Sequence, residues 1–151
     1  MMLEDDVRWM REALAEAQVA AERGEVPIGA VLVQDNREIA RAYNRTITDC
    51  DPTAHAEMIA LRLGAQAMRN YRLANTTLYV TIEPCAMCAG AMIQARVPRL
   101  VYGCSEPKGG AVRSCFSVFE HPMVNHRVEV SEGVLREECL RTIQAFFEAR
   151  R

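Results

Sequence analysis

The chain has 151 residues, half of them hydrophobic and a quarter charged, a size and composition that suit one compact domain spanning residues 1–151. A net charge of −2 and a pI near 5.9 exclude a broadly basic nucleic-acid coat, although a local basic patch remains compatible with them. No apolar run approaches the roughly 20 residues needed to cross a bilayer, and the acidic start from Met1 to Asp6 lacks a secretion signal's basic-then-apolar layout, so a cytoplasmic protein without membrane contact is expected.

Apolar residues at Val7, Met10, Leu14, Ala17 and Ala21 recur at helical spacing and predict a first helix over residues 4–22, ended by Gly24. The β-branched run over 28–33 predicts a strand, 34–37 a turn, and 38–43 the returning strand of a hairpin. A polar loop over 49–53 offers Thr53 as N-cap of a second helix over 55–68. Residues 77–82 read as a strand, and Pro84 fits the first turn of a third helix reaching about residue 96. A strand over 98–102, a glycine-containing loop over 103–114, a short strand over 127–130 and a final helix over 132–150 complete the chain. Leu135, Cys139, Ile143, Phe146 and Phe147 fall on one side of that last helix. Strands alternating with helices predict an α/β fold: a three-layer α/β/α sandwich around a mixed sheet of five strands.

Two stretches carry chemistry: His55-Ala56-Glu57, and Pro84-Cys85-Ala86-Met87-Cys88. One imidazole and two thiolates suit zinc, and three protein ligands leave one coordination position open, which separates a catalytic site from a structural one. Cys85 and Cys88 are three residues apart and share a helix face. A helix N-terminus favours the thiolate form that binds metal. The pattern H-x-E followed by P-C-x-x-C is the signature of zinc-dependent nucleobase deaminases. His55, Cys85 and Cys88 are therefore the expected ligands of one Zn²⁺ per subunit, and Glu57 the expected proton shuttle between a water and the leaving amine. A structural zinc would need a fourth ligand, for which Cys50 or Cys104 is available, and a redox Cys-x-x-Cys pair would leave His55 and Glu57 unexplained. Cys50, Cys104, Cys115 and Cys139 are read as free thiols, Cys139 packing as a small apolar group.

Beyond that signature the chain resembles the bacterial tRNA-specific adenosine deaminase family, within the cytidine/deoxycytidylate deaminase superfamily, nearly end to end. The likeness runs through Gly24-Glu25-Val26-Pro27-Ile28-Gly29-Ala30-Val31, Tyr43-Asn44-Arg45, Asp51-Pro52-Thr53-Ala54-His55-Ala56-Glu57 and residues 81–93. It continues in His121-Pro122, Asn125-His126-Arg127-Val128 and the terminal Phe146-Phe147-Glu148-Ala149-Arg150-Arg151. The resemblance implies a cytidine deaminase-like fold and conversion of adenosine to inosine at the wobble position (34) of a tRNA anticodon stem-loop, by a homodimer. It implies further that Asn44 hydrogen-bonds the flipped nucleotide, that Val26, Pro27 and Ile28 wall the base pocket, and that Ala54 adds a backbone contact. Phe147, Arg150 and Arg151 correspond to the family's terminal helix against the anticodon loop, and the 105–114 loop to its nucleic-acid loop. RNA contacts are accordingly expected at Glu106, Lys108, Arg113, His121 and Asn125.

Read without the family, Val26, Pro27 and Ile28 open either a pocket wall or a buried strand, Asn44 is a turn residue, and Arg150-Arg151 a solvated end. The chain departs from the family's pattern at Glu106, where Asp is usual, at Arg113, where Gly is usual, and at Glu120, where His is common. An arginine at 113 implies a backbone that does not need the left-handed region there. Two competing functions stand beside the tRNA reading. One is deamination of a free nucleobase or nucleoside such as guanine or cytosine; the other is a non-catalytic, zinc-stabilised RNA-binding subunit, which the retained Glu57 disfavours.

Overall fold

The structure is a computed structural model and describes residues 3–151; Met1 and Met2, part of the acidic start, lie outside them. Five strands form one sheet: β1 (Gly29–Gln34), β2 (Arg37–Tyr43), β3 (Thr76–Ile82), β4 (Arg99–Cys104) and β5 (Glu129–Glu132). Their spatial order is β2-β1-β3-β4-β5. β1 pairs antiparallel with β2 and β3, whereas β3, β4 and β5 run parallel, so the sheet is mixed as expected. Four helices cover it: α1 (Glu4–Glu22), α2 (Ala56–Met68), α3 (Ala86–Ala95) and α4 (Arg136–Glu148).

Strand periodicity divides the core in two. Ala30, Leu32, Leu78, Val80, Leu100 and Tyr102 face α2 and α3, while the alternate residues Val31, Val33, Tyr79 and Val101 face α1 and α4. Strands covered on both sides read as continuous apolar runs, which is why the central ones were visible in the sequence.

The details differ in four places. First, α1 turns a different stripe inward: Trp9, Met10, Ala13, Ala17 and Ala20 are buried, whereas Val7, Leu14 and Ala21 are only partly so. The alanines let the helix come very close to β1, where a Cβ at Gly29 would lie 1.9 Å from the Ala13 carbonyl. Second, α2 is capped by His55 rather than Thr53, because Thr53 spends its N–H and hydroxyl on Asp51 Oδ1, each at 2.8 Å. Third, Pro84 precedes the N-cap of α3, Cys85, instead of sitting in the first turn. Fourth, β5 lies two residues later than read, and α4 is shorter at both ends. Glu132 stays in the sheet to accept the Tyr102 hydroxyl at 2.6 Å, and Gly133 (φ 82°) and Leu135 (φ 53°) turn the chain before the helix starts.

α1 is tied down by charge as well as by packing. Asp6 lies in its first turn and is 1% exposed. It accepts both Arg99 Nη atoms at 2.8–2.9 Å and the Tyr79 hydroxyl at 2.8 Å. Among the described residues no helix is long and apolar enough to cross a membrane.

Candidate metal centre and its cavity

Both helices of one layer begin at the motif residues. His55 caps α2 and Cys85 caps α3, each with extended backbone (φ −73°, ψ 150° and φ −76°, ψ 176°), so each side chain stands off a helix end. Glu57 and Cys88 then fall in the first turns. β3 delivers Cys85 through Glu83-Pro84, at the carboxyl end of a parallel strand pair, where open α/β sheets place their ligand sites.

His55 Nδ1, Cys85 Sγ and Cys88 Sγ all lie within 4.8 Å of one another, and both sulfurs are 3.5 Å from Nδ1. A tetrahedral ion with Zn–S near 2.3 Å and Zn–N near 2.05 Å has an S···N edge of roughly 3.6 Å. The three donors are thus spaced, and chemically chosen, for one thiophilic divalent cation with room for a fourth ligand. The two thiols are coupled: hydrogen bonding with Cys88 lowers the Cys85 thiol, and the same contact with burial raises that of Cys88.

The remaining cysteines do not join this cluster. Cys104 and Cys139 are buried and burial raises their thiols to about 11 and about 12, while Cys50 and Cys115 are exposed. All six thiols are free of disulfides, and no described residue completes a fourth protein ligand.

Glu57 is nearly fully buried, and its Oε1 is a buried polar atom without a hydrogen-bond partner. Desolvation pushes this carboxyl up to about 7. An orphaned carboxylate oxygen beside three metal donors is placed to exchange a proton with whatever enters. The entry is a cavity of about 320 Å³ lined by His55, Glu57, Cys85, Ile28, Ile82, Glu83 and the loop residues Glu106, Lys108 and Gly109.

The other expected residues fall at different distances from this cavity. Ile28 lines it, whereas Val26, Pro27, Asn44 and Ala54 do not. Asn44 and Ala54 are buried and adjacent in space: Asn44 N–H donates to Ile28 O, and Arg45 N–H donates to Ala54 O. Arg113, His121 and the neighbouring Glu120 border a separate cavity of about 420 Å³ beside β5. Arg113 is ion-paired to Glu132 at 2.8 Å, and its backbone is not left-handed. The Asn125 side chain accepts Arg96 Nη1 at 2.9 Å. Phe147 lies in the last turn of α4, in the layer opposite α2 and α3, and Arg150 and Arg151 follow its end.

Besides Asp6, two buried carboxylates carry contacts that no motif in the sequence announces. Glu25 accepts the N–H groups of Ile47 and Thr48 and the Thr48 hydroxyl. Glu83 accepts four backbone N–H groups and the Ser114 hydroxyl from the loop after β4. An acid adjoining a buried apolar strand was the available signal in both cases.

The MafB19-like deaminase family model matches residues 4–151. A tRNA-specific adenosine deaminase of Haemophilus influenzae is 52% identical over 149 residues, which are 98% of this chain and 86% of that protein. Its counterpart in Bacillus subtilis is 46% identical over 146 residues, 97% of this chain and 90% of that protein. A solved structure from work on A-to-I editing by tRNA:A34 deaminases superposes with a TM-score of 0.87 at 48% identity, over 89% of this chain and 98% of that one. The cytidine deaminase-like sandwich expected from the sequence agrees with that superposition.

Proposed function

Because the chain belongs to the MafB19-like deaminases and, among them, to the tRNA-specific adenosine deaminases, we propose that this deaminase converts adenosine to inosine at the wobble position, 34, of a tRNA anticodon stem-loop. The observation that carries the mechanism is the unsatisfied, buried Glu57 Oε1 beside the group of His55, Cys85 and Cys88 donors, with Glu57, His55 and Cys85 lining one cavity. These donors suit zinc, one per subunit, which when bound supplies Lewis-acid activation of a water. Glu57 receives the proton of that water. As the water oxygen adds to C6 of the adenine, Glu57 would pass that proton to N1, then take the remaining hydroxyl proton and give it to the amino group, so that C6=O forms while the C6–N6 bond breaks and ammonia leaves. Ile28 and Ile82 offer an apolar wall to the flipped base. Asn44 remains the proposed reader of the nucleotide, with Val26, Pro27 and Ala54 behind it; its burial next to Ile28 supports that placement. Glu106 and Lys108 at the cavity, with Arg113, His121, Asn125, Phe147, Arg150 and Arg151 beyond it, are the proposed RNA contacts.

We propose a homodimer as the working unit. An apolar groove between α2 and α3, with Leu61, Ala65, Tyr71 and Ala91 on its walls, is a candidate face.

The test compares an anticodon stem-loop carrying adenosine 34 with free guanine, cytosine, adenosine and cytidine, using zinc-loaded protein whose mass is measured by sedimentation. Inosine in the stem-loop alone is the expected outcome. Glu57→Gln should retain metal and lose turnover by roughly 10²–10⁴-fold or more, the size of a general acid–base contribution. Turnover of a free base only would overturn the RNA substrate, and an active Glu57→Gln variant would overturn the proton shuttle.

A further inference from the structure

The wall of the cavity contributed by Glu106, Lys108 and Gly109 belongs to a loop without regular structure, whose later residues Ala111 and Val112 are buried, Val112 in the core. Its two ends meet on one carboxylate, that of Glu83. Glu83 leaves the end of β3 buried, at 2% exposure, and anchors its own N–H on Cys104 O at 2.9 Å. Its Oε1 accepts Glu106 N–H at 3.1 Å and the Ser114 hydroxyl. Its Oε2 accepts the N–H groups of Val112, Arg113 and Ser114 at 3.1, 2.9 and 2.9 Å. Five donors from both ends of the loop therefore converge on a group with about four lone-pair sites, which fills its accepting capacity. Charge-assisted bonds of this kind are roughly twice as strong as neutral ones.

A second feature reports the same closeness. A Cβ on Gly110 would lie 2.4 Å from the Glu83 carboxyl carbon and 2.6 Å from Glu106 O. The loop passes the carboxylate at a distance only glycine permits, and Gly110 N–H closes the turn onto Glu106 O at 2.8 Å. No cationic side chain is needed to balance Glu83, so the loop's one lysine, Lys108, stays at the cavity with its N–H on Glu106 Oε1 at 2.9 Å.

We propose that Glu83 is a positioning residue: it folds the 106–114 segment against the cavity so that Glu106 and Lys108 meet the bound nucleotide, and it thereby sets substrate affinity while leaving the metal donors intact. This rests on the deaminase reading above.

The experiment combines steady-state kinetics on the stem-loop, metal content, and amide hydrogen exchange at residues 112–114, for wild type, Glu83→Gln, Ser114→Ala and Gly110→Ala. The last two leave residues 83–88 unaltered, so they report on the loop even where Glu83→Gln disturbs Cys85 or folding. Metal should remain stoichiometric in Ser114→Ala and Gly110→Ala, exchange at 112–114 should accelerate, and KM should rise by roughly ten-fold, the equivalent of one lost charge-assisted bond. The loss should fall on KM more than on kcat. Active wild type with unchanged KM and unchanged exchange in these variants overturns the proposal alone. A wild type inactive on the stem-loop overturns the deaminase reading first, and the affinity role with it.

Discussion

His55 and Cys85 each end a stretch of extended backbone and begin a helix, so their side chains are fixed by the cap position rather than by a helical face. Cys88, one turn into α3, is wholly buried and closes the triangle of donors. Cys139 has the same residue type and comparable burial, yet it lies outside the His55, Cys85 and Cys88 group, and burial raises its thiol to about 12. This contrast gives a prediction. Cys88→Ala should lower metal affinity by more than the roughly 10–100-fold typical of losing an outer hydrogen-bond partner of a ligand, whereas Cys139→Ala should retain one metal per chain at some cost in core packing. Metal-to-protein ratios after dialysis against a chelator decide it. Full retention in Cys88→Ala would remove Cys88 from the ligand set.

Elements whose residues repeat with the sheet's period were legible in the sequence, and those ended by a side-chain interaction were not. The buried strands β1, β3 and β4 and the helix α1 were located to within a residue or two, because apolar runs and periodicity define them. The boundary between β5 and α4 was misread because Glu132 is kept in the strand by Tyr102 and Arg113, partners distant in sequence. The group of His55, Cys85 and Cys88, with Glu57 buried beside it, follows a spacing legible in the sequence; the hydrogen bonds of Glu83 do not, because they go to backbone N–H groups that no side-chain pattern reveals. Asp6 is a further long-range device. Its desolvation opposes ionisation, but hydrogen bonds from Arg99 and Tyr79 outweigh it and hold the carboxyl below its ordinary 3.8. A lowered carboxylate stabilises the fold above about pH 4, and that contribution is lost as pH falls through the depressed value. Asp6→Ala should therefore destabilise the chain near neutrality by an amount at or below the low end of the roughly 3–5 kcal/mol for breaking a buried pair, since Arg99 keeps 20% of its side chain exposed. Urea midpoints of wild type and variant should converge in acid; a gap independent of pH would mean that packing, not the ion pair, anchors α1.

For the molecule as a whole, the sheet separates two kinds of work. The α2–α3 layer holds the candidate metal group of His55, Cys85 and Cys88, and the α1–α4 layer carries the C-terminal cluster of Phe147, Arg150 and Arg151. Phe146 anchors that cluster: it is 9% exposed, meets Phe147 edge-on at 5.3 Å, and lies 3.5 Å beneath the Arg150 guanidinium. Phe147 itself is 47% exposed, a large apolar surface the fold does not use. Ending the chain after Phe146 should thus leave the core and the candidate metal group in place while removing an aromatic platform and two cations from the end proposed to contact RNA. Stem-loop KM should rise with metal content unchanged, and the slope of log affinity against log salt should become shallower by roughly 1.4, two phosphate contacts at about 0.7 each for single-stranded nucleic acid. Loss of metal on truncation would mean that α4 supports the opposite layer through the sheet. An unchanged salt slope with unchanged KM would remove the C-terminus from the RNA interface and leave the loop beside the cavity as the main source of RNA affinity.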